Sequence, residues 1–170
     1  MPRSQFAAVT LAVAWAAGFG VGRAAAQKAA PCAANAATAR LEQQLFTMIN
    51  AARAAAAVPP LRRSTPAADA ARCHSEEMAR RGRLSHAGAD GSDIGERLRQ
   101  AGAAWSRAAE NVGEAPSIAA VQRLMMDEPR GQPNHRANIL DPHLTRLGVG
   151  IARRGAMLFV TEDFYTPLHD

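Results

Sequence analysis

The 170-residue sequence predicts an α+β fold in one domain, on two observations. Apolar residues recur at the helical period up to about residue 140, and only afterwards do β-rich apolar runs follow. Helices first and strands last, with no internal repeat, point to layered α+β packing and away from a βαβ winding.

The chain opens with Arg3 and an almost wholly apolar run, Phe6 to Gly22, closed by Ala24-Ala25-Ala26. That order is expected of a signal peptide spanning residues 1–26, with Gln27 as the new N-terminus. The run stops at Arg23, short of the roughly 20 residues a membrane-spanning helix needs, so the mature chain is expected not to span a membrane. Ala30-Pro31 ahead of Cys32 does not resemble a lipid-attachment box. The expected location is periplasmic or secreted, the two being left open.

Residues 27–37 read as a lead-in without periodicity, and residues 38–168 as the folded domain. Thr38 is expected to cap a first helix with Leu41, Leu45, Met48, Ile49 and Ala52 on one stripe, stopped before Pro59-Pro60. A second helix opens at Thr65, with Pro66 in its first turn and Ala67, Ala70, Ala71, His74 and Met78 inward. Arg80-Arg81-Gly82 ends it. Leu84-Ser85-His86 reads as a short extended piece and Ala89-Asp90-Gly91 as a turn. Asp93 and Glu96 have capping-box spacing and start a short helix that stops at Gly102. Glu110 to Gly113 reads as a short strand or its end. Ser117 is expected to cap a third long helix with Ile118, Val121, Leu124 and Met125 inward, broken at Pro129. After a polar loop at residues 130–134, His135 to Leu140 forms a helical turn. Leu147–Ile151 and Met157–Val160 read as a hairpin turned at Arg153-Arg154-Gly155.

Composition excludes several functions. Losing Arg3 and Arg23 with the leader takes the formal net charge from +5 to +3, and no basic stretch is interleaved with aromatics. Nucleic-acid binding therefore has no support. Paired-histidine metalloprotease helices, zinc-finger cysteine sets, phosphate loops and nucleophile elbows are all missing. Five aromatics remain after the leader, and Phe159, Phe164 and Tyr165 place much of the bulky core in the last segment. Two cysteines in an exported chain suggest a bridge, with two free thiols as the alternative. Cys73 shares a helix face with Asp69, Glu76 and Glu77, and Cys32 lies in a lead-in that could cross that face. Closing such a loop is worth about 4 kcal/mol on the chain-entropy model.

Five side chains have metal-binding or acid/base chemistry beside loop signals: His86, Glu110, the Asp127-Glu128 pair and His135. Imidazoles and carboxylates suffice for a zinc-like site with an open position, or for proton transfer near neutral pH. Spacing alone does not bring them together.

Ile49-Asn50-x-x-Arg53, Ala71-x-x-His74-Ser75-x-x-Met78-Ala79 and Leu84-Ser85-His86 form an ordered series. It continues through Glu110-Asn111-Val112, His135-Arg136-Ala137-Asn138-Ile139-Leu140, Leu147-Gly-Val-Gly150 and Glu162-Asp163-Phe164. Over residues 41–165 this series resembles the CAP superfamily of cysteine-rich secretory, antigen 5 and pathogenesis-related proteins. The resemblance implies a three-layer α/β/α sandwich with a small, mainly antiparallel central sheet. It also implies a cleft of two His and two acids, in which His86 and His135 hold zinc or another divalent cation in some members. Glu110 matches one acid. For the other, Glu128 is preferred over Asp127, because Leu124-Met125 and a longer loop replace the usual lead into the histidine. Asn50 and Arg53 are expected to tie the first helix to neighbouring backbone, and Arg136 and Asn138 to fix the short turn. Trp105 is expected in the core. The leading expectation is a non-catalytic, monomeric binding module for a small apolar ligand or an extracellular macromolecule, with lipid or sterol affinity as some relatives have. The competing class is a metal-assisted or acid/base hydrolase with Glu110 as base; no nucleophile with an adjacent base is visible, which favours binding.

Overall fold

Asn35 starts the fold: its side chain accepts the backbone N–H groups of Ala37 and Thr38, capping helix α1 (Ala36–Ala55). The helix thus begins two residues before the expected Thr38, whose hydroxyl instead donates to the Asn35 carbonyl. A computed structural model describes residue 32, residues 34–131 and residues 134–169. The expected signal peptide, most of the lead-in and part of the loop before His135 lie outside the described residues.

The remaining elements are β1 (Arg62–Arg63), α2 (Thr65–Arg81), α3 (Ile94–Gln100), β2 (Trp105–Ala115), α4 (Ile118–Met126), α5 (His135–Ile139), β3 (Arg146–Arg154) and β4 (Met157–Pro167). Sequence signals explain most ends. Ser64 caps α2 and Gly82 closes it in the left-handed region at φ 65°. Asp93 and Glu96 form a complete capping box on α3, and Ser117 caps α4.

The strands make one sheet in the order β1-β3-β4-β2, antiparallel except for the β1–β3 pair. Leu147, Val149, Ile151, Leu158, Val160 and Phe164 project to one face, under Leu45 and Ile49 of α1, Val121 and Met125 of α4 and Ile139 of α5. Val112, Ala152, Phe159 and Tyr165 project to the other, against α2 and α3. This is the three-layer α/β/α sandwich, and alternation along each strand produces it. Gly148 and Gly150 let α2 lie directly on β3: a Cβ at either would sit 2.1 Å from a carbonyl carbon, of Ala67 and Ala71 respectively.

Arg53 is fully buried and donates to the carbonyls of Pro59, Ile139, Asp141 and Leu144 at 2.7, 2.8, 3.0 and 3.2 Å. Asn50 exchanges hydrogen bonds with the backbone of Leu61. Together they lock α1 to the loops around α5 and β1. Cys32 and Cys73 form a disulfide that pins the entry of the chain to α2. Among the described residues no helix is long and apolar enough to cross a membrane.

Two further expectations need correction. Leu124 is 64% exposed, not inward. At 100° per residue it falls about 90° from the mean direction of Ile118, Val121 and Met125, whereas Gln122 lies nearer and is buried. The short strand expected at Glu110 to Gly113 is part of an eleven-residue strand, because β4 offers a partner along the whole of β2.

Candidate functional site

Strand β2 lies at the edge of the sheet, and its alternation sends Glu110 to the α2/α3 side and Asn111 to the α4/α5 side. Each anchors one half of the site.

On the first side, His86 donates from Nδ1 to Glu110 Oε1 at 2.8 Å. Glu110 Oε2 takes Nη2 of Arg97, whose other terminal nitrogen holds the carbonyls of His86 and Ser92 at 3.1 and 2.7 Å. Arg97 therefore fixes both the acid and the loop that carries the histidine. His74 stands behind, its Nε2 2.7 Å from the Ser85 carbonyl and 3.8 Å from Glu110 Oε2. Burial lowers the His74 pKa below the ordinary imidazole value against the pull of Glu110. A neutral ring donating from Nε2 is the form that fits the carbonyl. His86 is the opposite case: its hydrogen bond to Glu110 raises its pKa despite partial burial. Its side chain is 64% exposed, while that of Glu110 is 3% exposed.

On the second side, His135 sits in the first turn of α5 and donates from Nδ1 to Glu128 Oε1 at 2.6 Å. Glu128 Oε2 accepts the backbone N–H of His135 at 2.8 Å, so the same carboxylate caps the helix. Burial works to raise the Glu128 pKa, but the His135 hydrogen bond and charge outweigh it and the net shift is downward. Asp127 is exposed at the C-cap of α4 and takes no part in this pair. Asn138 donates to the carbonyl of Glu110 and to Asn111 Oδ1, and Asn111 donates to the carbonyl of His135. These bonds clamp α5 onto β2. Arg136 reaches the Met126 carbonyl and closes the intervening loop.

The structure therefore joins His86 to Glu110 and His135 to Glu128, as two dyads flanking one edge strand. No hydrogen bond among the described residues reaches Nε2 of either ring. Trp105 packs over Gly95, donating to its carbonyl at 3.1 Å, with Arg99 stacked on the ring.

Sequence reasoning missed the two acids behind the dyads. Asp163 pairs across the ladder with Glu110, and Glu162 with Asn111. Both are fully buried. Burial, and then the charge of Glu110, push Asp163 well above the ordinary carboxylate range. Burial raises Glu162 to about 7, against the opposing hydrogen bond from Asn111. The signal was available: two consecutive acids interrupt an otherwise apolar strand, and buried acids demand an account.

Fold and site together define a small extended-edge sandwich with paired imidazole–carboxylate dyads on its outer strand. The chain belongs to the cysteine-rich secretory protein family (CAP), which it matches over residues 46–164. An extracellular SCP-domain protein from Bacillus anthracis has a similar structure (TM-score 0.67, 27% identity, 75% of this chain and 41% of that one). The present chain thus spans less than half of that protein. An outer surface protein of Borrelia burgdorferi shares the fold (TM-score 0.68, 11% identity, 76% of this chain and 95% of that one). So does a cysteine-rich secretory protein from Staphylococcus aureus (TM-score 0.61, 17% identity, 75% of this chain and 38% of that one). No curated protein matches the chain in sequence.

Proposed function

We propose that this protein acts outside the cytoplasm as a non-catalytic binding module, with the two dyads forming a cleft that holds a divalent cation. One observation carries the reading: each imidazole sets its Nδ1 within hydrogen-bond distance of a carboxylate, and a neutral ring that donates there carries its lone pair on Nε2. A carboxylate behind a histidine in this way fixes the tautomer and orientation suited to a metal ligand. Among the described residues no group of three or more His, Cys, Asp and Glu is arranged to hold a metal ion by itself; in this reading His86 and His135 would be the protein ligands and water the remainder. A bound cation would offer a Lewis-acidic anchor for an anionic or carbonyl group of the ligand. The small apolar ligand, lipid or extracellular macromolecule expected from the family would bind against that anchor.

The hydrolase reading needs Glu110 as a base. Both of its oxygens are engaged, one by His86 and one by Arg97, which supports binding over proton abstraction. The neighbours described as extracellular or outer-surface proteins support the location.

Calorimetric titration with zinc tests the proposal. The protein is expected to bind one ion, and the His86→Ala/His135→Ala double variant to lose that binding while remaining folded by circular dichroism. Equal binding by both proteins, or none by either, refutes it.

A further inference from the structure

Asp163 lies directly across the ladder from Glu110 on one side and from Gly148 on the other. Directly opposed residues of antiparallel strands share a face, with Cβ atoms about 4.5–5.5 Å apart. Asp163 therefore projects beside Glu110 toward α2 and α3, while Gly148 brings only backbone to the same layer. A Cβ at Gly148 would meet the backbone of Ala67, so α2 closes over this position, and Asp163 is 0% exposed.

The donors of that layer are committed elsewhere. Arg97 of α3 gives its terminal nitrogens to Glu110 and to the carbonyls of His86 and Ser92, and its Nε reaches no acceptor. On α2, His74 Nε2 faces the Ser85 carbonyl, and the Ser75 hydroxyl lies against the Gly150 carbonyl and the Thr161 hydroxyl. Tyr165, two residues along β4 on the same face, meets Ser64. Neither oxygen of Asp163 receives a hydrogen bond from any described residue. An ionised carboxylate buried without a donor is strongly disfavoured. Glu110 is the opposite case, with His86 Nδ1 at Oε1 and Arg97 at Oε2. Two carboxyl groups in contact do not both ionise, so the proton of the pair belongs to Asp163. Burial first, and then the charge of Glu110, favour that protonated form against the pull of Arg97, and Glu110 lies within its hydrogen-bond reach. Each carboxylate oxygen has two acceptor sites, which leaves Glu110 room for a third donor.

We propose that Asp163 is a positioning residue for the cleft: it keeps its proton at neutral pH and donates it to Glu110, fixing from behind the carboxylate that His86 and Arg97 hold from in front. Glu110 is then held by three donors, and the layer contains one negative charge, aimed at His86, in place of two that repel. Networks of this kind hold their members more firmly than isolated pairs do. The role rests on the His86–Glu110 pair being half of the cleft and not on a bound cation, so it is tested on the metal-free protein.

Carbon-detected NMR of the side-chain carboxyls reads the proton directly. At neutral pH Asp163 is expected at the shift of a protonated acid and Glu110 at that of a carboxylate. Glu110→Gln removes the opposing charge and is expected to lower the pH at which Asp163 titrates. Hydrogen exchange of the Arg97 guanidinium reads the positioning. Asp163→Asn, which keeps a donor, is expected to leave that guanidinium as protected as in the parent. Asp163→Val, which fills the space without a donor, is expected to speed its exchange at least about tenfold. A carboxylate shift for Asp163 at neutral pH, read in the parent alone, overturns the proposal. So does an Asp163 titration unmoved by Glu110→Gln. Equal exchange in the Asn and Val variants overturns the positioning role. Failure of the protein to bind zinc would remove the cation and leave each of these outcomes readable.

Discussion

Glu162 offers a quantitative handle on the buried half of the site. Its side chain is fully buried on β4; Oε2 accepts from Asn111 at 2.9 Å, and Oε1 has no partner among the described residues. Burial lifts its pKa from 4.5 to about 7. A carboxyl whose folded pKa is raised contributes stability that is fully present below the unfolded value. That stability is lost as pH rises through the folded value. The gap between 4.5 and about 7 corresponds to about 3 kcal/mol, most of which falls between pH 5 and pH 8. Glu162→Gln keeps an oxygen for Asn111 and removes the titration. Urea denaturation of both proteins at the two pH values is the assay. Asp163 and His74 titrate in both proteins, so the comparison isolates Glu162. The variant is expected to gain on the parent by about 2–3 kcal/mol between pH 5 and pH 8. Parallel pH profiles, or a variant less stable than the parent at pH 8, refute the reasoning.

Two further outcomes follow from the fold. Arg53→Met strands four carbonyls in the interior, and urea midpoints are expected to fall by the equivalent of about 4 kcal/mol with the denaturant slope unchanged. An effect under about 1 kcal/mol means those acceptors find water. Removing the Cys32–Cys73 bridge, with both replaced by serine, frees a 41-residue separation and is expected to cost about 4 kcal/mol. An unchanged thermal midpoint contradicts this.

The local ends of elements were legible because single residues specify them: Pro66 and Gly82 on α2, Asp93 and Glu96 on α3, Ser117 on α4. The dyad residues were legible only as members of an ordered motif series, since 24 residues separate His86 from Glu110 and no periodicity relates them. What escaped was decided by tertiary contact. Arg107 to Ala109 carry little β preference and become strand because β4 pairs with them. Arg62-Arg63 forms β1 by pairing with β3 and is exposed on both residues, with Arg63 stacked over Phe46 at 4.7 Å. The role of Arg97 depends on the fold bringing α3 against β2.

The placement of Glu110 and Asn111 on one edge strand has a consequence for how the site can fail. They are adjacent in the chain, so a single peptide unit joins the anchors of both histidines. A slip of β2 by one residue against β4 would exchange their faces, pointing an amide at Arg97 and a carboxylate at the His135 carbonyl. The two histidines therefore stand or fall as a unit: whatever disturbs strand pairing at that one position disarms both, and neither half can drift while the other stays set.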